Sequence, residues 1–413
     1  MKNMEQSSKT AYISSNGCPE NLIDSAKLKK YLEINGWYIE NYPDNADIVF
    51  FNACGFTKSA EERSISIIKN IQSRMKKDSR LVVWGCLPKI NPKSMEKLHM
   101  YTGCLFSEQE LFSKIDELIN AKTSPREIFS NEVCQLNTHY KKNWLTDSCT
   151  TLYNIISNNY TVRERKLDLY RVNDDSIFYI KVSTGCLGNC TYCAIRNSRG
   201  IIKSKPMEFI VQEFRYGLGK GYKEFSLLGT DLGGQGRDLG YNLCDLLNEL
   251  LKEKGDYKIG IRNVHPLFVK NMLHELKPIL KTGKIWYIGM AAESGSNRIL
   301  KLMARGYTVD EYIECYRGIK TASPGIIIRN QMLIGFPTES EQDFAASMKL
   351  LDVADHNEIY AFSPRIGTVA EKMKGQVPNY IKNLRMFRMV LKDIYKKSNH
   401  NQVKKVSDSQ GSF

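Results

Sequence analysis

Ser183-Thr184-Gly185-Cys186-Leu187-Gly188-Asn189-Cys190-Thr191-Tyr192-Cys193 sets three cysteines in a C-x3-C-x2-C loop. Iron–sulfur clusters are normally held by four thiolates. A metal centre that keeps one position open usually keeps it for a substrate or cofactor. The loop therefore reads as a holder for three irons of a cubane, with the fourth left without a protein ligand. A structural zinc knuckle would need a fourth cysteine or histidine, and the next candidates, Cys244 and His265, are remote in sequence.

Around this loop, from Ser176 onward, the chain reads as repeated strand–loop–helix units. Strands are expected at 178–182, 224–228, 258–261, 285–290, 326–334 and 359–362. Six such units match a partial (β/α)6 barrel, whose catalytic groups sit at the carboxyl ends of the strands. Cys186 follows the first strand, as that geometry requires.

Toward the N-terminus, the segments 11–15, 47–51 and 80–84 read as strands, with helices over 21–35 and 59–71 between them. That alternation predicts an open α/β domain with a mostly parallel sheet. Each strand runs into a cysteine beside a glycine: Gly17-Cys18, Cys54-Gly55 and Gly85-Cys86. Strand carboxyl ends line one edge of such a sheet, where ligands bind, so the three thiols are expected to converge. Three inert buried cysteines are the bland alternative. The threefold repeat of strand, Gly/Cys and helix speaks against it.

The expected units are an N-terminal α/β domain over 1–130, a polar linker over 131–175 with the charge run Arg163-Glu164-Arg165-Lys166, a barrel over 176–375, and a helix and tail over 376–413. The helix carries Ile381, Leu384, Phe387, Leu391 and Ile394 beside Lys382, Arg385, Arg388, Lys392, Lys396 and Lys397. Amphipathicity predicts that its apolar residues pack on the barrel while the basic face is solvated. Residues 407–413 read as disordered.

Composition narrows the classes. With 413 residues the chain can bury two cores, and eleven cysteines are too few for a disulfide scaffold. The start, Met1 to Thr10, lacks the apolar core of a signal peptide, and no apolar run approaches the ~18 residues of a membrane span. A cytosolic, non-membrane protein is expected. The excess of 59 Lys and Arg over 45 Asp and Glu suits a polyanion such as RNA, and equally an acidic peptide.

The cysteine loop, with an aromatic residue before its last cysteine, resembles the signature of radical S-adenosylmethionine (AdoMet) enzymes. The two sets in this order, 18/54/86 and 186/190/193, resemble the methylthiotransferases among them. Further matches lie at 17–25, Cys54-Gly55-Phe56, Arg199-Gly200, Ser294-Gly295-Ser296, 303–308, 334–339 and 362–368, so that the resemblance spans roughly residues 10–375. It implies a [4Fe–4S] cluster on Cys186, Cys190 and Cys193 that binds AdoMet and generates a radical, and a second [4Fe–4S] cluster on Cys18, Cys54 and Cys86 that carries the sulfur. A second AdoMet serves as methyl donor and flavodoxin or ferredoxin as reductant. It also implies AdoMet contacts at Tyr192, Gly229, Thr230, Asp231, Glu293, Ser294 and Gly335, with Glu293 and Ser294 ending the fourth strand.

Two departures stand near the expected cofactor. Glu293 replaces a usual glutamine, and Arg196 a usual proline. Only a helix and tail follow Gly375, leaving no room for the small RNA-gripping TRAM barrel common in the family. On that ground the expected substrate is a peptide or protein, such as a ribosomally made precursor peptide, with an anticodon-loop adenosine of tRNA as the alternative. A cluster that only relays electrons is the further alternative. A monomer is expected, and Cys104, Cys134, Cys149, Cys244 and Cys315 receive no role.

Overall fold

The computed structural model describes residues 9–96, 98, 115–116, 119, 121, 137–138 and 176–410, the side chains beyond 396 excepted. The charge run at 163–166, Cys104, Cys134, Cys149, most of the 131–175 linker and residues 411–413 lie outside the described residues.

Strands β1 (Thr10–Ser15), β2 (Tyr38–Glu40), β3 (Ile48–Ala53) and β4 (Arg80–Gly85) form a parallel sheet in the order β2-β1-β3-β4. Strand β3, Ile-Val-Phe-Phe-Asn-Ala, is buried throughout, as befits a central strand covered on both faces. Two strands of this sheet escaped the sequence reading because they are too short to show a period: β2, and β5 (Asn137–Thr138), which brings the expected linker back to pair in parallel with Ser14 and Ser15. The helices Pro19–Ile34 and Lys58–Arg74 fill the crossovers. Proline stands in the first turn of one, and Thr57 caps the other through a bond from the Ala60 N–H.

The second sheet is parallel and six-stranded. It comprises β6 (Ile177–Lys181), β9 (Glu224–Leu228), β10 (Lys258–Ile261), β11 (Ile285–Gly289), β12 (Ile327–Ile334) and β13 (His356–Ala361), hydrogen-bonded in chain order. This is the open (β/α)6 arrangement. Between β6 and β9, a small antiparallel pair, β7 (Ser183–Thr184) and β8 (Lys203–Ser204), brackets the cysteine loop. Reciprocal capping boxes begin the helices Leu243–Leu251, Val309–Ala322 and Glu341–Leu350.

The two sheets share a core: Ile177, Tyr179 and Leu228 pack with Ile23, Leu28, Phe50 and Trp84. Ion pairs cross the same junction, Lys181 to Asp24 at 2.6 Å, Lys27 to Glu213 at 3.8 Å and Arg365 to Glu61 at 2.5 Å.

The C-terminal helix, Asn379–Gln410, reverses the expectation of a solvated basic face. Lys382, Arg385, Lys392 and Lys396 face the barrel. Lys382 Nζ donates to the Phe362 carbonyl at 2.9 Å, and Arg385 Nη1 to Glu339 Oε2 at 2.7 Å. Lys392 reaches the Met348 carbonyl and Lys396 the Leu351 carbonyl, at 2.7 and 2.9 Å. The cause is local: the helix crosses the end of Glu341–Leu350, where unpaired carbonyls and the negative dipole end draw cations. Leu384, Phe387 and Leu391 are left exposed. Ser407–Gln410, expected to be disordered, continue the helix.

Candidate functional site

Each thiol of the first set sits just past a strand end: Cys18 three residues beyond β1, and Cys54 and Cys86 one residue beyond β3 and β4. An asparagine scaffold holds them. Asn16 Oδ1 accepts from the Cys54 N–H at 3.0 Å while its Nδ2 donates to Ser64 Oγ at 2.9 Å. Asn52 Nδ2 donates to the Asn21 carbonyl, and Asn21 Nδ2 returns a bond to Asn52 Oδ1, both at 2.9 Å. Gly85 has φ +92, and a Cβ there would lie 2.2 Å from Asn52 Oδ1, so only glycine allows β4 to turn into Cys86. The thiols are near enough to influence each other. Burial, then the neighbouring Cys86, pushes the Cys54 thiol up to about 12. Burial also raises Cys18, against the nearby Arg199 charge.

The second set lies on the loop between β7 and the helix Ile195–Arg199. Gly185 has φ +82 and backs onto the Ile201 carbonyl, and the Cys186 N–H donates to the Gly200 carbonyl at 3.2 Å. A Cβ on Gly188 would meet Cys186 Sγ at 3.2 Å and Cys190 Sγ at 3.8 Å, so both sulfurs turn toward one point. Burial, then Asp231, pushes Cys186 up to about 12; burial, then Cys190, pushes Cys193 up to about 11. Among the described residues no three His, Cys, Asp or Glu groups converge on a single metal ion. A cubane makes no such demand, because its thiolates each take a different iron. Three soft sulfur donors on one short loop fit such a cluster.

Around the loop stand the other sequence-identified residues. Asp231 Oδ1 accepts from the Gly233 and His265 N–H groups, both at 3.0 Å, and its Oδ2 lies 3.6 Å from Cys186 Sγ. Tyr192 donates to Glu293 Oε1 at 2.8 Å. Glu293 stands four residues past the end of β11 rather than at it, bridging to Met332 with φ 65. A left-handed glutamate held by the neighbouring strand is a strained position of the kind that clusters at functional sites. Burial pushes its carboxyl up, against the adjacent Arg305 charge.

Thr230 faces the other domain, its hydroxyl 3.4 Å from Glu20 Oε2. Gly229 backs onto Ser183 Oγ. Ser294 and Gly335 are engaged elsewhere, Ser294 with the Ser347 hydroxyl at 3.3 Å, and Gly335 under Lys382 with its N–H on Glu339 Oε2 at 2.7 Å. Arg196 folds back on the loop, donating to the Gly188 carbonyl at 2.7 Å and to Asn189 Oδ1. Cys244 and Cys315 are buried in the barrel's apolar core.

Two arginines had no role in the sequence reading. Arg305 Nη1 donates to Cys190 Sγ at 3.2 Å and to the Tyr192 hydroxyl at 3.3 Å. Arg199, buried, donates to Glu20, to Asn21 Oδ1 and, at 3.7 Å, to Cys18 Sγ. The path Thr230–Glu20–Arg199–Cys18 thus joins the barrel to the first thiol set. The asparagines had a signal that was passed over: Asn16 and Asn52 each stand two residues before a cysteine.

Two family models match the chain, "Uncharacterized protein family UPF0004" over residues 10–107 and "Radical SAM superfamily" over 180–351. The threonylcarbamoyladenosine tRNA methylthiotransferase MtaB of Aquifex aeolicus is 31% identical over 92% of this chain and 86% of its own length. The ribosomal protein uS12 methylthiotransferase RimO of Thermodesulfovibrio yellowstonii is 31% identical over 89% of this chain and 79% of its own. Among solved structures, the fold is similar to the radical S-adenosylmethionine methyltransferase TsrM from Kitasatospora setae, with TM-score 0.60 and 12% identity over 88% of this chain and 77% of that one. Matched along both of its domains, and with a C-x3-C-x2-C loop at the mouth of an open barrel, the chain belongs to the radical AdoMet methylthiotransferases.

Proposed function

We propose that this enzyme methylthiolates tRNA at an adenosine of the anticodon loop. Cys186, Cys190 and Cys193 hold one [4Fe–4S] cluster with AdoMet, and Cys18, Cys54 and Cys86 hold a second. The observation that carries this reading is the pair of incomplete thiol sets on two packed domains, joined by Arg199 and Glu20. When bound, the first cluster and AdoMet supply the radical for an unactivated C–H bond, and the second cluster supplies the sulfur.

The chain's own groups then divide the work. Asp231, its Oδ1 fixed by two backbone N–H groups, offers Oδ2 to the AdoMet amino group. Tyr192 and Glu293 form the polar wall next to Cys190. Arg305 and Arg199 each give a cation and an N–H to one sulfur of each set. A low-potential protein donor, flavodoxin or ferredoxin, delivers the electron.

The choice of tRNA is supported by relatives named as tRNA methylthiotransferases, which match about nine-tenths of the chain, and by the net charge of +14. The sequence-based preference was for a peptide or protein: a precursor peptide finds no support among the relatives, which are named for tRNA or for ribosomal protein uS12.

Anaerobic reconstitution tests the proposal. The wild-type chain is expected to hold about eight irons, and Cys18→Ala about four. Cys18→Ala should still release 5′-deoxyadenosine but form no methylthio product; Cys190→Ala should lose both. In a complemented strain, a tRNA nucleoside should gain about 46 Da, one SCH3 for H. Methylthiolation surviving in Cys18→Ala, or tRNA left unchanged by the active enzyme, would overturn it.

A further inference from the structure

The inverted C-terminal helix leaves a row of large apolar side chains in solvent: Tyr380 at 73% exposure, Leu384 at 56%, Phe387 at 60%, Leu391 at 48% and Tyr395 at 70%. Scattered exposed apolar residues need no explanation, but a contiguous row marks an interaction surface. The steps of four, three, four and four residues along the row keep it on one side of the helix, the spacing of a helix–helix seam.

We propose that the row pairs with the same row of a second copy of this chain, the two helices antiparallel about a twofold axis beside Phe387. Its order is what singles out this occupant. Read in either direction it is Tyr, Leu, Phe, Leu, Tyr. Tyr380 and Tyr395 lie equally far from the midpoint between residues 387 and 388, and so do Leu384 and Leu391. A twofold therefore sets each tyrosine against a tyrosine, each leucine against a leucine, and Phe387 against its own copy. Isologous interfaces require that self-complementarity.

Charge and area agree with this pairing. Asn383 on the exposed face is uncharged, and Arg388 is paired with Glu341. Lys382, Arg385, Lys392 and Lys396 are turned to carbonyls and carboxylates of the barrel, so the face offers little to a polyanion. With aromatic side chains of roughly 200 Å2 and leucines somewhat smaller, one row exposes on the order of 600 Å2, and two rows together hide about 1,200 Å2, the lower bound of a specific interface. The sequence reading expected a monomer, and the proposed pairing departs from that expectation.

Sedimentation of the full chain over a dilution series tests the pairing. The wild-type protein should pass from dimer to monomer. Phe387→Glu and Leu391→Arg should each raise the dissociation constant by at least about 30-fold, as loss of a central contact does, while AdoMet cleavage stays at the wild-type rate and certifies the fold. Because Phe387 meets its own copy, mixing the Phe387→Lys and Phe387→Glu proteins should restore a dimer that neither forms alone. A wild-type monomer at every concentration, a dimer indifferent to Phe387→Glu and Leu391→Arg, or a mixture that stays monomeric would overturn the proposal.

Discussion

Arg305 and Glu293 are opposite charges brought to one buried spot beside Cys190, linked through the Tyr192 hydroxyl. Removing one member of such a pair strands the other, while removing both leaves a neutral pocket. In the apoprotein, Arg305→Met should therefore be strongly destabilising, and Glu293→Gln less so because Arg305 keeps the Ala291 carbonyl as an acceptor. The double variant should recover about 1–3 kcal/mol of coupling in a denaturant-unfolding cycle. Additive losses would show that the two charges do not sense each other. The cysteines of this site were legible in the sequence because ligand spacing is a local property. The arginines were not, since their partners lie 113 and 179 residues away, at Tyr192 and Glu20, and only the folded topology brings them together.

Among the elements, strands with apolar runs were read to within one to three residues, because a buried parallel strand is nearly continuous in apolar residues. The C-terminal helix was misread for an equally physical reason. Amphipathicity assigns the basic face to water, but here carbonyls at the end of Glu341–Leu350 and the buried Glu339 compete for it. That orientation can be tested: Arg385→Met strands the Glu339 carboxylate and should cost about 3–5 kcal/mol in urea unfolding, whereas a solvated Arg385 would cost almost nothing. The capping box at Ser340 makes a second prediction. Burial would raise the Asp343 carboxyl, but hydrogen bonds from Arg298, Ser296 and Ser340 more than offset it and hold it below the usual carboxylate range. A group lowered in the folded state contributes fully above its unfolded pKa, near pH 4, and loses that contribution as pH falls through the folded value. Asp343→Asn should cost about 2 kcal/mol at pH 7, and the gap from wild type should narrow in thermal melts below about pH 4. A gap constant with pH would mean the carboxylate is not what holds the cap.

Over the whole molecule, function depends on the N-terminal sheet and the barrel keeping a fixed relation, because each carries one thiol set. The contacts between them are those of an interior. Ile177, Tyr179 and Leu228 of the barrel lie in the same apolar cluster as Leu22, Ile23 and Trp84. Lys181 Nζ makes 2.6 and 2.8 Å bonds to the Asp24 carboxylate, and Arg199 and Glu20 are buried together. Separating the sheets would expose that cluster to water and strip the buried ions of their partners, so neither sheet gains by unfolding alone. None of this was legible in the sequence, where the two halves read as separate domains joined by a polar linker. The apoprotein should therefore unfold in one cooperative step, with far-UV circular dichroism and tryptophan fluorescence changing together. Substituting Lys181 and Arg199 together by methionine leaves Asp24 and Glu20 unpaired at the junction and should split the transition, the N-terminal sheet melting first. Two separate transitions already in the wild-type chain would show that the domains are joined only by their linker, and the alignment of the two thiol sets would then have to be created by substrate.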